Sequence, residues 1–321
     1  MKKICITGGQ GFIGSYLCQE FLDKGYEVHS VDNFSKYGWL SRPHDKSENF
    51  YLHEIDLTSN TIPDIDFNFI IAGASVIGGI RLFHDKAFDI IDQNERILSN
   101  TFRPAIEMFS RGTLERIVPI SSSMVFECSD IFPTPEDYIH KCTMPQSSYG
   151  RQKLMVEWWA DAAFKQYKLP YTIIRPYNAI GLGEEDYMTG YSHVVPDLIW
   201  KVMGGAEPLE IMGGNQVRCF TNGKDIARGI RMAIESPVAL NKAYNISTST
   251  PTKILDLAKL IWKELNGDKF FRYRELKTLP FDVQYRYPDV ELAKKDFGFE
   301  AEISLEESVR EVVGHMRAQH D

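Results

Sequence analysis

The sequence lacks a C-x-x-C pair, histidines at metal-ligand spacing, a long apolar run and any surplus of basic residues. Each absence excludes something. The five cysteines (Cys5, Cys18, Cys128, Cys142, Cys219) are odd in number and scattered, which argues against a disulfide-framed secreted domain and for reduced thiols. The eight histidines follow no ligand pattern, so no metal site is expected. No stretch approaches the roughly 20 apolar residues of a membrane helix. Met1-Lys2-Lys3 has the charge of a signal-peptide start, but Gly8 to Gly11 break the apolar run at once. The expectation is a cytoplasmic protein that binds no membrane. With 36 Lys and Arg against 44 Asp and Glu, the formal net charge is −8, which disfavours a nucleic-acid partner. It leaves room for an anionic small ligand held by a few arginines. Internal repeats and low-complexity segments are also missing. What is present is 321 residues of globular composition, 43% hydrophobic and 25% charged, enough for one large core or two domains.

Strand and helix patterns alternate through the first half. Lys3 to Thr7, Glu27 to Val31, Phe67 to Ala72, Arg116 to Ile120 and Tyr171 to Arg175 read as strands. Phe12 to Asp23, Ile90 to Phe109 and Tyr149 to Tyr167 read as helices, the first stopped by Lys24-Gly25. This alternation predicts parallel βαβ units in a Rossmann-type, doubly wound α/β sheet. After Arg175 the pattern loosens, and glycines at 181, 183, 190, 204, 205, 213 and 214 mark loops. Asp225 to Glu235 and Ala243 to Ile246 return to the sheet, and Ile254 to Leu265 and Leu305 to Met316 are late amphipathic helices. The expected division is a dinucleotide-binding unit from 1–175 plus 223–248. A smaller, discontinuous C-terminal substrate unit takes 176–222 plus 249–321.

Gly8, Gly11 and Gly14 are spaced G-x-x-G-x-x-G between a strand and a helix, in Thr7-Gly8-Gly9-Gln10-Gly11-Phe12-Ile13-Gly14. Glycines there allow a tight turn and close approach of backbone N–H groups to a pyrophosphate at the helix N-terminus. Asp32 closes the second strand, where a carboxylate binds ribose hydroxyls and repels a 2′-phosphate, favouring NAD over NADP. Asp56-Leu57 is a candidate for the adenine edge. Downstream, Tyr149-Gly150-Arg151-Gln152-Lys153 is Y-x-x-x-K at a helix start. Residues i and i+4 share a face, so the Lys153 ammonium is expected beside the Tyr149 phenol, lowering its pKa and making it a base for a substrate hydroxyl. Ser121-Ser122-Ser123 follows a strand at the carboxyl edge, where such sheets bind ligands.

In this order the motifs resemble the extended short-chain dehydrogenase/reductases that act on nucleotide sugars, the NAD-dependent epimerase/dehydratase family. The resemblance rests on Gly8/Gly11/Gly14, Asp32-Asn33-Phe34, Ser121-Ser122-Ser123 before Val125-Phe126, Tyr149 with Lys153, and Arg175-Pro176-Tyr177-Asn178. Gln216-Val217-Arg218-Cys219-Phe220 and Arg286-Tyr287-Pro288-Asp289-Val290 complete it, so it runs nearly the full length. It implies NAD held by Gly8, Gly11, Phe12, Ile13, Gly14, Asp32, Asn33, Asp56, Leu57, Ala72, Tyr149 and Lys153. It implies Ser122, Tyr149 and Lys153 as the catalytic set, and a nucleotide-diphosphate sugar touched by Ser122, Ser123, Asn178, His193, Val194, Arg218 and Arg286. The two arginines would grip the diphosphate. Phe126 stands where the family has Tyr, and Ile71-Ala72-Gly73-Ala74 replaces its usual His-Leu-Ala-Ala. Val76 to Ile80 is similar to a segment of GDP-fucose synthases and GDP-mannose 3,5-epimerases. Ser192 to Pro196 is similar to the synthases, with His193 on their acid/base histidine.

In that family one oxidation at C4 precedes several outcomes, because a 4-keto sugar has acidic C–H bonds at C3 and C5. The dehydratases carry Thr-Asp-Glu beside the serines, the xylose-forming decarboxylases a Glu, and the 3,5-epimerases a Cys, where this chain has Met124. A thioether has no exchangeable proton. The reading is therefore a 4-epimerase, with a 4-dehydrogenase or 4-keto reductase as the alternative. A non-catalytic NAD-binding regulator is a third class, which Ser122, Tyr149 and Lys153 together argue against. The family pairs the helices at Ile90 to Phe109 and Tyr149 to Tyr167 with their copies, so a homodimer using Trp158 and Trp159 is expected.

Overall fold

The computed structural model describes residues 1–184, 192–278 and 282–320; of the loop glycines above, Gly190 lies outside them. In chain order the first half runs β1 (Lys3–Thr7), α1 (Phe12–Asp23), β2 (Glu27–Asp32), β3 (Phe50–Glu54), β4 (Phe69–Ala72), α2 (Ile80–Asp85), α3 (Ala87–Ser110), β5 (Arg116–Pro119) and α4 (Ser148–Tyr167). Then follow β6 (Thr172–Pro176), β7 (Ala179–Ile180), α5 (Val194–Met203), β8 (Leu209–Met212), β9 (Val217–Arg218), β10 (Thr221–Asn222), α6 (Gly223–Glu235) and β11 (Lys242–Ile246). The chain ends with β12 (Thr252–Lys253), α7 (Ile254–Asn266), β13 (Tyr273–Leu276), β14 (Tyr285–Arg286), α8 (Glu291–Phe297) and α9 (Leu305–His320).

The central sheet is parallel, in the order β3-β2-β1-β4-β5. Parallel bridges Ile117 to Tyr171 and Ile120 to Ile174 carry it on to β6 and β11. The period of two along a strand sorts the core. In β1, Ile4 and Ile6 pack with Leu17 and Phe21 of α1 and Ile226 and Ile230 of α6. Cys5, between them, joins Ile97 and Phe102 of α3 and Val156 and Ala160 of α4 on the opposite face. A separate apolar cluster joins Leu198 of α5, Ile211 of β8, Leu257 of α7 and Val313 of α9.

Within the central sheet the sequence pattern missed one strand. Phe50–Glu54 is the sheet's edge and alternates half-buried with exposed residues, including His53 and Glu54. An edge strand tolerates such charge, so its pattern resembles a loop. Its position matters, because the chain then crosses from that edge to the far side of β1. The order reverses between β1 and β4, and the carboxyl ends of those strands frame a crevice.

A buried ion pair joins this sheet to the helix that carries Tyr149. Arg175 in β6 donates to both oxygens of Glu157 in α4, from Nε at 2.8 Å and a terminal nitrogen at 2.7 Å. Its other terminal nitrogen donates to the Glu136 carbonyl at 3.0 Å. The Ser121 hydroxyl donates to Glu157 at 2.6 Å. The Glu136 side chain accepts from the Asn245 N–H at 3.0 Å. Burial pushes the Glu136 carboxyl up from 4.5 to about 7, against the pull of Asn245 and Arg175.

A carboxyl raised in the folded state holds its proton more tightly there than in the unfolded chain. Its stabilising contribution is full below pH 4.5 and is lost as the pH rises to about 7. A shift of this size is worth at most ~3 kcal/mol. Glu136→Gln keeps an acceptor for Asn245 and removes the titration. Urea unfolding at pH 5 and pH 8 should show the variant gaining on the wild type at the higher pH; the same difference at both would contradict the assignment.

Candidate active site

A cleft of about 1040 Å³ follows the carboxyl ends of β1, β2, β4 and β5 and continues between α5, β9 and β14. It is large for a single small-ligand pocket. Its two ends differ chemically.

At one end the glycine turn is built as its spacing requires. Gly8 has φ +74°, and a Cβ on Gly14 would lie 1.9 Å from the Gly8 carbonyl oxygen. The turn is closed by the Gly8 N–H on Val31 (2.7 Å) and the Gly11 N–H on Gly8 (3.1 Å). Gly11 caps α1 without any side chain, so the first N–H groups of the helix face the cleft beside Phe12 and Ile13. Asp32 accepts from the N–H groups of Gln10 (3.0 Å) and Phe34 (2.9 Å), which orient its carboxylate at the cleft wall next to Asn33. Asp56 and Leu57 also line this end. The Thr58 N–H holds the Asp56 carboxyl below its usual range. Ala72 does not line it. It ends β4 with its side chain among Cys5 and Val31, and Gly73 and Ala74, held by the Thr7 hydroxyl, form the wall instead. A cradle that no Cβ could enter, a helix N-terminus and a fixed carboxylate are what a dinucleotide needs, so the residues present fit one.

In the middle, Ser122, Tyr149 and Lys153 come together, all buried. The Ser122 hydroxyl accepts from the Met124 N–H at 3.2 Å and is close enough to the Tyr149 phenol to lower its pKa. The phenol ring is stacked on Phe83, centroids 4.4 Å apart, and packs with Ile90, Met124 and Val283. Lys153 Nζ donates to the Ile120 carbonyl at 3.0 Å, and it lies 5.7 Å from the Tyr149 ring centroid. Here the structure corrects the expectation. Burial pushes Tyr149 up to about 12, while the Ser122 hydrogen bond and the Arg286 charge pull the other way. Burial also lowers Lys153 to about 8. Helical spacing placed the two groups on one face, but desolvation outweighs their attraction and the ammonium is spent on a backbone carbonyl.

At the far end the two arginines separate in role. Four hydrogen bonds run from the terminal nitrogens of Arg218 to the carbonyls of Val217, Gln284 and Val283 and to the Gln216 side chain. Burial, with Arg286 beside it, lowers Arg218 to about 9. Arg218 thus pins β14 to β9, whereas Arg286 makes no side-chain hydrogen bond among the described residues and keeps Nε buried without a partner. Asn178 Oδ1 and the Tyr177 hydroxyl are likewise buried without partners at the cleft wall. Ser123 and Val194 line the cleft as expected. His193 does too, but it caps α5 and its Nδ1 is engaged by the buried Glu184 carboxylate. Sequence reasoning missed Phe83, Glu127 and Glu184. Glu127 was the most accessible of the three to reading, being a charge in the run that follows a strand's carboxyl end.

A parallel sheet with a glycine cradle at its switch point, joined to a Ser–Tyr–Lys centre and an arginine-lined extension, defines a dinucleotide-dependent oxidoreductase of short-chain type. The chain belongs to the NAD dependent epimerase/dehydratase family, whose profile matches residues 4–247. NAD is its cofactor. Among curated relatives, it is 27% identical to the UDP-glucose 4-epimerase of Bacillus subtilis, over 95% of this chain and 94% of that protein. It is 26% identical to the UDP-N-acetyl-alpha-D-glucosaminuronate decarboxylase of Bacillus cytotoxicus, over 99% and 98%. Among solved structures, the UDP-glucose 4-epimerase of Thermotoga maritima with UDP-glucose superposes with a TM-score of 0.81 at 25% identity, covering 99% of this chain and 100% of that one.

Asp32 generates a direct expectation. Its ionised carboxylate would face the 2′-phosphate of NADP, so NAD should bind roughly tenfold tighter or more in a fluorescence titration. Asp32→Asn should narrow that ratio. Equal affinities in the wild type would remove Asp32 from the ribose site.

Proposed function

We propose that the protein oxidises and re-reduces C4 of a nucleotide-diphosphate sugar and is a 4-epimerase. The observation that carries this reading is the gathering of Ser122, Tyr149 and Lys153 in one buried centre, with Met124, which has no exchangeable proton, packed in the same cluster as the phenol. Bound NAD supplies the hydride acceptor, then the hydride, and its oxidised form adds positive charge next to the phenol. The protein's residues do the rest. Ser122 holds the C4 oxygen. Tyr149 takes its proton as the ketone forms and gives a proton back when the alcohol is restored. Burial leaves the phenol protonated in the free protein, so it must give up that proton before it takes the one on the C4 oxygen; Ser122, Arg286 and the positive charge that oxidised NAD would bring are what favour the phenolate. Lys153 fixes the end of β5 against α4 and lies on the cofactor side. Arg286, with unpartnered donors, takes the diphosphate, and Asn178 contacts the sugar side. The wall of Val194, Leu198, Ile211 and Met212 holds the base. The division into 1–175 plus 223–248 and 176–222 plus 249–321 assigns the first unit to NAD and the second to the nucleotide sugar. Release of the ketone would make the same site a 4-dehydrogenase or 4-keto reductase.

The protein is also proposed to be a homodimer. Phe88 is 78% exposed and Trp158 55% exposed, with Ile91 and Met155 beside them in the sequence pattern of α3 and α4. Trp159 is turned inward, donating to Glu95 at 2.9 Å. A contiguous apolar face of this kind is a recurrent interface signal. Light scattering at micromolar concentration should return twice the chain mass, and Trp158→Glu should reduce it to one; a monomeric wild type would end this reading.

Tyr149→Phe should lose about 10²–10⁴ in turnover while still binding NAD. In deuterated water the product should carry no deuterium at C3 or C5, because Met124 cannot shuttle a proton. Wild-type turnover in the variant would dismiss Tyr149, and deuterium at either carbon would replace the 4-epimerase by a 3,5-epimerase.

A further inference from the structure

Glu127 is a carboxylate in the middle of the cleft that the chemistry above does not use. It directly follows the turn Ser123–Phe126, and the fold brings it back against Ser147, the residue that caps α4 two positions before Tyr149. Its Oε2 accepts both the N–H of Ser147 (3.0 Å) and its hydroxyl (2.8 Å). Gly150 makes room for that oxygen, which would lie 2.8 Å from a Cβ at this position. Two donors on one oxygen hold the group in one orientation. The second oxygen, Oε1, takes no hydrogen bond, and the half-buried side chain lines the cleft. Arg286, whose Nε is buried without a partner, is attracted by the carboxylates of Asp282 and then Glu127. The second oxygen of a fixed carboxylate therefore belongs to the same cleft that Ser122, Tyr149 and Arg286 line.

We propose that Glu127 determines which sugar the site accepts: it takes a hydroxyl next to C4 of a neutral hexose and turns away a hexuronate. This rests on the nucleotide-sugar reading. A neutral hexose offers hydroxyl donors at C3 and C6, and a carboxylate accepts them strongly. A hexuronate instead brings a second carboxylate at C6 into a cleft with little water, where like charges repel more than in solution. The nearby cations do not offset this. Arg218 is paired with Asp282 at 3.7 Å and Lys201 with Asp197, Lys153 donates to the Ile120 carbonyl, and Arg286 is drawn to Asp282 and Glu127 as well as to the diphosphate. Arg81, exposed and also at the cleft, is the group that would work in the uronate's favour.

The test is calorimetric titration of the NAD-loaded protein with two matched pairs, UDP-glucose with UDP-glucuronate and GDP-mannose with GDP-mannuronate. In whichever pair binds, the wild type should favour the neutral sugar by about tenfold or more. Glu127→Gln keeps an acceptor for Ser147 and removes the charge, and should bring the two affinities to within about threefold. A wild type that prefers the uronate overturns the proposal without any variant, so a variant that fails to fold does not protect it. An unchanged ratio in a folded Glu127→Gln means that the residue only caps α4, and it also overturns the proposal while leaving the C4 chemistry intact. If none of the four sugars binds the wild type, the nucleotide-sugar reading itself falls, and this inference with it.

Discussion

The site depends on the buried pair of Arg175 and Glu157. Both oxygens of the carboxylate receive the guanidinium, and Ser121 adds a third donor. β6, α4 and the serine turn after β5 are thereby held at one point, with the Glu136 turn attached through its carbonyl. Ser122 is the next residue after Ser121, and Tyr149 and Lys153 stand about two turns and one turn of α4 before Glu157. A pair of this kind adds little net stability compared with apolar packing, yet removing one partner leaves a buried charge and costs about 3–5 kcal/mol. Its contribution is geometric: it sets the register in which a hydroxyl from one element meets a phenol from another. Its geometry also explains why only part of the serine run is available for chemistry, since Ser121 is consumed by the carboxylate.

Around that point the cleft is organised by which groups already have partners. Asp32 is oriented by two backbone N–H groups and still presents a carboxylate to the cofactor end. Arg218 spends its terminal nitrogens on the loop that carries Arg286, so Arg286 reaches the cleft with its own donors free. Tyr149 is embedded among Phe83, Met124 and Val283, and this desolvation dominates its proton affinity. A phenol in such surroundings responds strongly to any charge placed beside it, because the low local dielectric that raises its pKa also strengthens each nearby interaction. Burial of the phenol and its control by bound cations are thus two aspects of one arrangement.

Local signals made much of this legible. The turn from Gly8 to Gly14, helix α1 with the bounds Phe12–Asp23, and helices α4 and α7 follow from glycine spacing and a 3.6-residue period. Cofactor, family and the Ser122–Tyr149–Lys153 grouping were readable from motif order, which the fold respects. The strand Phe50–Glu54 was not readable, because an edge strand need not alternate cleanly. Ala72 was placed at the cofactor by analogy with a motif, but strand alternation turns its side chain into the core. Phe83 acquires its role from Tyr149, far along the chain, and Glu184 from His193 in another element, so neither has a local signature; Glu127 had only the weak one of a charge after a strand's carboxyl end.

By itself the sequence determined the class of fold, the dinucleotide turn and the residue types that meet in the cleft. These depend on backbone freedom at glycine, on periodicity and on side-chain chemistry, all of which are properties of short segments. Only the tertiary structure decided how those groups are charged and which are free. Proton affinity depends on how much water surrounds a group and on what stands opposite it, and both are set by elements far apart in the chain. Spacing could bring Lys153 near Tyr149, but it could not reveal that burial would win or that Ile120 would claim the ammonium. Nor could two arginines of one motif be told apart until carbonyls from the neighbouring strand had occupied one and left the other open.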